Sequence, residues 1–435
     1  MERVWVLTLG MLVAVSVPAA AQSAASSLDG RPASAAPAAQ GDTFRLADAL
    51  AAARQANPML RAARLEADAA AQRIPQAGAL PDPQFQFSLE NRLLAGFGAA
   101  DPMTMNAFQL TQTVPWPGKL SFGQDRARSL AQAERLDAAQ AEADLIGSVS
   151  GAYDQVAYMD RALAVMGQTR DLLRSFLQVS TAMYGVGTGL QQDVLQAQVA
   201  VARMTEDITA MTQERVAMAA RLDALLGRDA TAPVGALELP PAEDTLPGVD
   251  SLIAVAAERR PALGAARQRV LAAAAGYREA RRELFPDLMI GVSYGQRPRF
   301  DDMVTLMIGF SIPLWATARQ VPLRREMQAM QAAQEAQARD LYNETYARLA
   351  ELRAEAVRAR NLSQLYATAI LPQARASVDA ALASYRVGQV NFMSLVENQM
   401  TVNRYAIEGV RLLAEHHRAV AEIGALLGAG LEQAR

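Results

Sequence analysis

The chain contains no cysteine, and this absence excludes several classes of protein at once. Disulfide bonds, thiolate metal centres and a lipid-modified N-terminal cysteine cannot form. The formal net charge is only −3, which excludes the strongly basic surface that binds nucleic acid. The sequence also lacks the residue spacings of three kinds of site: serine–histidine–aspartate sets, paired-carboxylate pockets and glycine-rich phosphate loops. The sequence therefore predicts no catalysis and no cofactor.

Long apolar runs are scarce as well. One occurs at the N-terminus, where Arg3 precedes an apolar stretch and an A-x-A cleavage site that ends at Ala21. This stretch is shorter than the roughly 20 residues of a membrane-spanning helix, so it predicts a signal peptide over residues 1–21 rather than an anchor. Residues 22–43, rich in alanine, serine and proline, are predicted to form a flexible leader. Any membrane span in the mature chain would have to be made by strands.

Proline is missing between Gly118 and Ala232, although the chain has 20 prolines in all. Alanine, leucine, glutamate, glutamine and arginine dominate this region, so helices are predicted over 118–184 and again over 190–227. At about 1.5 Å rise per residue, the first helix would extend on the order of 100 Å. A helix of that length cannot fit in a small globule, and it indicates a coiled-coil or tubular assembly.

A phrase near the end of the first long helix occurs twice. "YGVG" begins at Tyr184 and "YRVG" at Tyr385, and each leads without a gap to "ALLG" ending at Gly227 or Gly428. Both distances are 43 residues (227 − 184 and 428 − 385), which indicates an internal duplication. Glycines in the phrase stop one helix and turn the chain into the next, so each half is predicted to form one helical hairpin. The predicted turn glycines are Gly187 and Gly388.

The duplication divides the mature chain into two repeats, 44–227 and 251–430, joined by the proline-containing linker 228–250. In the second repeat, the first long helix is predicted to start near Pro322 and to kink or break near Pro372. The long helices of this repeat are predicted over 322–385 and 391–428.

Each repeat opens with an alanine-rich helix, predicted over about 45–77 and 251–284. Two short segments follow in each half, in which apolar residues alternate with small or polar ones, as they do in strands. Each segment has roughly the length at which a tilted strand crosses a membrane. The four strands are predicted at about 83–91, 104–115, 286–295 and 303–313.

Four strands cannot close a membrane barrel, because an open sheet edge is not tolerated in lipid. Three chains together would close twelve strands, and their long helices would close a tube beneath. The predicted fold is therefore mainly α-helical with a membrane β-structure. It is a trimeric twelve-stranded β-barrel, four strands per chain, continuous with a long α-helical barrel and built from an internal two-fold repeat.

The two hairpin phrases, the two "ALLG" helix ends, the four strands and the linker together resemble the TolC-type outer-membrane efflux channels. The resemblance covers residues 44–430 and implies a homotrimer, with its barrel in the outer-membrane lipid of a Gram-negative bacterium and its helices in the periplasm. It also implies two partners, a periplasmic adaptor and an inner-membrane resistance-nodulation-division pump. "PDPQFQFSLEN" and "QTVPWPGKL" resemble the cation-efflux branch, whose pumps expel heavy-metal ions.

Three alternatives share this pattern, two of them fully and one in part. A drug-efflux channel and the exit duct of a type I secretion system share all of it, because a wide passive duct has little reason to encode its cargo. A soluble periplasmic coiled-coil adaptor would share the signal peptide and the long hairpins. It would lack an outward apolar stripe in both pairs of strands.

The resemblance further implies a gate at the hairpin tips. Asp193 matches the family's gating acid, Tyr385 its gating tyrosine, and Glu397 an acid of the lumen ring. Three-fold symmetry would set three copies of each acid around one axis. A ring of that kind attracts cations and repels anions.

The sequence departs from the family at two gate positions. The basic gate residue falls on Val390, and a second ring acid falls on Ser394. We therefore expect a gate closed with fewer ion pairs, through packing of Val390 and Phe392.

No metal site is predicted. Met103 and Met105 in "DPMTMN" are expected to be ordinary residues of an external loop or strand. His416 and His417 are adjacent on a helix, so their side chains diverge, and both are expected at the surface. Trp116, between two prolines, is expected to be an interfacial aromatic where a strand meets the periplasm.

Overall fold

The computed structural model describes residues 44–92, 101–242, 246–298 and 300–428, and the predicted signal peptide and leader lie outside these ranges. Both halves follow one order: a short helix, a longer helix, two strands and two long helices. The first half contains α1 (Leu46–Ala56), α2 (Pro58–Gly78), β1 (Gln84–Glu90), β2 (Met105–Val114), α3 (Lys119–Gly185) and α4 (Gln191–Leu225). The second contains α5 (Val249–Arg259), α6 (Pro261–Arg282), β3 (Leu288–Gln296), β4 (Met303–Phe310), α7 (Gln320–Leu365), a π-helical segment (Tyr366–Ile370), α8 (Leu371–Arg386) and α9 (Phe392–Leu427).

The opening helix of each repeat is in fact two helices, so the prediction of one continuous helix was wrong. Asn57 and Arg260 are extended, with ψ of 120° and 116°, and each stands directly before a proline. Helical conformation is unfavourable for the residue before a proline, because the proline ring crowds that residue's backbone. Pro58 and Pro261 then begin the next helix at its first position, where the missing N–H costs nothing.

The long helices differ in regularity between the halves. α3 runs for 67 residues without interruption. In the second half, the corresponding helix changes to π-helical geometry over Tyr366–Ile370, which ends two residues before Pro372. The helix is therefore disturbed near Pro372, where a kink or break was predicted, but the disturbance is a change of hydrogen-bond pattern and the helix is not broken. Within the described ranges, no helix combines the length and the apolar character needed to cross a bilayer.

The four strands form one antiparallel sheet in the order β1-β2-β3-β4, so the predicted number of strands is confirmed. β2 of the first repeat pairs with β3 of the second, which joins the two halves through the sheet. One face is apolar and exposed on all four strands. Residues directly opposite one another on this face form rows, one of which is Phe85, Leu110, Val292 and Leu306.

Two equivalent cores hold the short opening helices against the long ones. In the first half, Ala49 and Ala53 of α1 pack with Leu222 of α4 and with buried residues of α3. In the second half, α5 packs in the same way against α7 and α9. The internal repeat therefore extends from the order of elements to the packing of the core.

Candidate functional site at the hairpin tips

Each long helical hairpin turns through a left-handed glycine. Gly187 has φ of +77° between α3 and α4, and Gly388 has φ of +76° between α8 and α9. In both turns the residue after the glycine donates its N–H five positions back, from Thr188 to Met183 and from Gln389 to Ser384, at 3.0 and 2.9 Å. This is the hydrogen-bond pattern of a glycine-terminated helix. Only glycine adopts this conformation without steric cost, so both predicted turn residues lie where a turn requires them.

The tips of the two hairpins share one hydrophobic core. Leu173 and Phe176 of α3 and Met204 of α4 are buried together with side chains of α8 and α9. Phe392, at the start of α9, is only 1% exposed and meets the ring of Tyr385 edge-on, with ring centroids 5.4 Å apart. Phe392 is therefore buried in the core that the two hairpins of the chain share, and its role in closing the gate stays a prediction.

Two of the predicted gate residues meet at the edge of this core. The hydroxyl of Tyr385, at the end of α8, donates a hydrogen bond to Oδ2 of Asp193 at 3.0 Å. Asp193 lies in the first turn of α4, where a carboxylate is favoured by the helix dipole. Tyr385 is 4% exposed, and burial, reinforced by the hydrogen bond to Asp193, raises its pKa to about 12. The phenol therefore remains a donor throughout the physiological pH range.

The other predicted gate residues take different positions. The backbone N–H and the hydroxyl of Ser394 both donate to Oδ1 of Asn391 at 2.8 Å, so Ser394 completes the N-terminal cap of α9. Val390 is half-buried in the turn. Glu397 is exposed on α9, and no ion pair joins it to another residue of the described ranges. The single chain therefore brings Asp193 and Tyr385 together and leaves Glu397 apart.

Both histidines are buried, contrary to the expectation of surface positions. The Nδ1–H of His416 donates to the carbonyl oxygen of Ala356 on α7 at 3.0 Å. The ring of His417 donates through Nε2–H to the carbonyl oxygen of Pro240 in the linker at 2.9 Å. Their side chains do diverge, but α9 is covered by α7 on one side and by the linker on the other. Because a different element covers each side of α9, the two adjacent histidines are both buried although their side chains diverge.

A buried acid absent from the sequence predictions lies on α3. Asp154 is 4% exposed, and burial raises its pKa to about 7. It borders a cavity of about 360 Å³, also lined by Arg411 and Arg418 of α9. The one available sequence signal is that Asp154 is the single charged residue between Val149 and Met159. Nothing in that pattern distinguishes a buried acid from a solvated one.

The geometry defines a class of protein. The sheet has one exposed apolar face, and it is attached to long helical hairpins that meet at their tips. This is the architecture of a tubular membrane channel. The outer membrane efflux protein family model matches residues 49–228 and 252–429, and the chain therefore belongs to this family. It is an outer-membrane channel with a periplasmic helical domain, in a family of channels rather than enzymes.

Individual relatives agree with this assignment. The chain is 25% identical to the pyoverdine export outer membrane protein OpmQ of Pseudomonas putida KT2440 over 382 residues, 81% of this chain and 79% of that protein. Its fold is similar to that of VceC from Vibrio cholerae, with a TM-score of 0.75, 16% identity and coverage of 88% and 96% of the two chains. It is also similar to that of CusC, with a TM-score of 0.76, 16% identity and coverage of 88% and 92%.

Proposed function

We propose that this chain forms a gated passive efflux duct whose closed state is held by the hydrogen bond between Tyr385 and Asp193. The observation that supports it is the position of the bond, which joins the tip of the second hairpin to the tip of the first. An opening that separates the hairpins must break this bond and expose part of the shared core. The gate therefore closes through one hydrogen bond and apolar packing. It needs no basic residue at position 390, which is a valine in this chain.

The duct is assembled from three copies of the chain. Strands β1 and β4 are the edges of the four-stranded sheet and have no partner on their outer sides within the described chain. Pairing β4 of one copy with β1 of the next closes the sheet and removes both edges from lipid. The partners are a periplasmic adaptor and an inner-membrane resistance-nodulation-division pump, and the pump supplies the energy for export.

The cargo we propose is heavy-metal cations. Three-fold repetition of Asp193 and Glu397 concentrates negative charge at the narrow end of the tube, which favours cations over anions. Glu397 supports this because it is exposed and has no ion-pair partner among the described residues of its own chain. Removing both acids should abolish the selectivity without closing the pore.

Conductance across a planar bilayer tests the gate. Tyr385→Phe removes the hydroxyl and keeps the ring against Phe392, so we expect a larger open fraction than in the wild type. Tyr184→Phe is the matched control, since Tyr184 occupies the equivalent position of the first repeat and is 49% exposed. Wild-type conductance in Tyr385→Phe would contradict the proposed gate. Unchanged cation selectivity in the Asp193→Ala, Glu397→Ala double variant would contradict the cation cargo.

A second candidate cargo is a siderophore, favoured by the similarity to a protein named for pyoverdine export. The two cargoes are separated by deleting the gene from its host. Hypersensitivity to copper, silver or zinc salts supports the cation cargo. Accumulation of a siderophore in the periplasm, with normal metal tolerance, supports the siderophore.

A further inference from the structure

The inner face of the sheet carries an unusual number of methionines. Alternation along the strands places Met105 of β2, Met289 of β3, and Met303 and Met307 of β4 on the face opposite the apolar rows. The other residues of this face are small or polar, and Glu90 is the one charged side chain among its strand residues. Because the apolar face meets lipid, the methionine face lines the interior of the duct.

Three of these methionines lie against glycines of a neighbouring strand. A Cβ added to Gly295 would come within 2.7 Å of the Met105 sulfur, and one added to Gly291 within 3.1 Å of the Met307 methyl carbon. A Cβ on Gly309 would come within 3.4 Å of the Met289 methyl carbon. The glycines therefore provide the space into which the thioether side chains lean across the sheet.

The contacts arrange the methionines in two groups. Met289 is opposite Gly309 and Met307 is opposite Gly291, so the two methionines are diagonal neighbours across β3 and β4. Diagonal Cβ atoms are about 7–8 Å apart or less, within reach of two long side chains that converge on one ion. In the second group, Met105 and Met303 lie on either side of Gly295.

The second group also has a negative charge beside it. Glu90 of β1 is paired in register with Met105, and its carboxylate accepts a hydrogen bond from the Ser88 hydroxyl at 3.0 Å. Thioethers are soft ligands that select monovalent copper and silver over hard cations. A neutral thioether surface with an adjacent carboxylate therefore suits a soft monovalent cation.

We propose that these four methionines form transit sites for Cu(I) or Ag(I) on the inner wall of the sheet. This proposal rests on the proposed function, because it requires that the duct conduct cations past this face. Three copies per assembly place three sets of sites around the exit. The sites are exposed enough for exchange, since Met289 and Met303 are 38% and 39% exposed.

Ag(I) binding to the purified full-length protein tests the proposal. The variant carries Met105→Leu, Met289→Leu, Met303→Leu and Met307→Leu, which keep the apolar volume and remove the sulfur. The control carries Met59→Leu and Met330→Leu, two exposed methionines of α2 and α7. Titration with silver nitrate in chloride-free buffer should show sites in the wild type and the control that are lost in the variant, and excess Zn(II) should not compete.

Selenomethionine substitution provides a measurement that does not depend on the folding of the leucine variant. Selenium-edge X-ray absorption of the labelled protein should gain a selenium–silver shell on addition of Ag(I), and the shell should persist in the control. Equal Ag(I) binding by wild type and leucine variant, or absence of the shell, would overturn the proposal. The proposal would also be overturned if the face bound an apolar dye through its methionines and did not bind Ag(I). That result would assign the face to organic cargo.

The two proposals fail separately. A wild-type protein that conducts and responds to Tyr385→Phe, but does not bind Ag(I), rejects the methionine sites and keeps the gated duct. Ag(I) binding in a protein without cation conductance rejects the duct, and with it the role of the sites in transit.

Discussion

Tyr385 and Asp193 are 192 positions apart in the chain, yet the tyrosine hydroxyl donates to the aspartate carboxylate at 3.0 Å. The bond lies beside a shared core to which all four helices of the tips contribute. It is therefore positioned to respond to any movement of one hairpin against the other.

The first prediction concerns the pH dependence of this bond. Burial, with the hydrogen bond to Asp193, raises the pKa of Tyr385 from 10.0 to about 12. A group with a raised folded-state pKa contributes stability that is complete below its unfolded pKa and is lost as the pH rises through the folded value. The closed state should therefore resist alkali, and wild-type conductance in bilayers should remain unchanged from pH 7 to about pH 10. Opening of the wild type within that window would contradict the assignment of Tyr385 as the donor.

The second prediction concerns Asp154. Burial raises its pKa from 3.8 to about 7, so the folded state binds more protons than the unfolded state between these values. The contribution of Asp154 to stability is therefore most favourable below about pH 4 and falls as the pH rises towards 7. Asp154→Asn should raise the free energy of unfolding at pH 8 by about 1–4 kcal/mol and leave it nearly unchanged at acid pH.

Thermal unfolding followed by far-UV circular dichroism at pH 4 and pH 8 measures this effect. Asp207→Asn, at an exposed acid of α4, is the matched control and should change neither transition. A stability gain at pH 8 no larger than that of the control would show that Asp154 is solvated.

Much of the fold follows from local sequence, but the contacts of the site do not. The strands lie within three residues of their predicted limits because alternation with period two is a local property. The hairpin turns were found because Gly187 and Gly388 recur at equal spacing. The pairing of Tyr385 with Asp193 depends instead on how two hairpins from different repeats meet, which no local pattern encodes.

The errors have the same origin. Asn57 and Arg260 break their helices, but the alanine-rich sequence around them has high helix propensity and concealed both breaks. Burial of His416 and His417 arises because α7 and the linker cover different sides of α9, and neither contact is visible in the sequence of α9.

The third prediction concerns the π-helical segment before Pro372. The amide of Leu371 bonds to the carbonyl oxygen of Tyr366, five residues back, and the wider turn accommodates a proline that cannot donate to the helix. Pro372→Ala restores the missing N–H, so the segment should become α-helical and stability should rise by up to about 3 kcal/mol.

Hydrogen exchange over residues 366–371 measures the change and should slow in the variant. Pro322→Ala is the control, because Pro322 lies in the first turn of α7, where the helix makes no bond from that amide. Equal exchange in wild type and Pro372→Ala would show that the π geometry is set by packing around Tyr366, including its contact with Tyr405, and not by the proline.

The fourth prediction concerns the junction between the sheet and the long helices. Lys119, at the start of α3, has a side chain only 9% exposed and pairs with Glu283 at 3.3 Å and Asp287 at 2.8 Å. Asp287 also accepts a hydrogen bond from the backbone N–H of Trp116 at 2.9 Å, and the ring of Trp116 stacks on Phe285 at 5.3 Å. The cluster therefore ties the end of β2 to the segment that precedes β3.

Lys119→Met keeps the length of the side chain and leaves two carboxylates without their cation. We expect a loss of about 1–3 kcal/mol, seen as a lower temperature of trimer dissociation on semi-native gels. Arg126→Met is the control, because Arg126 makes a more exposed pair with Glu279 and should cost less than about 1 kcal/mol. Equal losses of stability in the two variants would mean that burial does not strengthen the ion pairs of Lys119. A larger loss for Lys119 would show that this buried lysine couples the sheet to the helices.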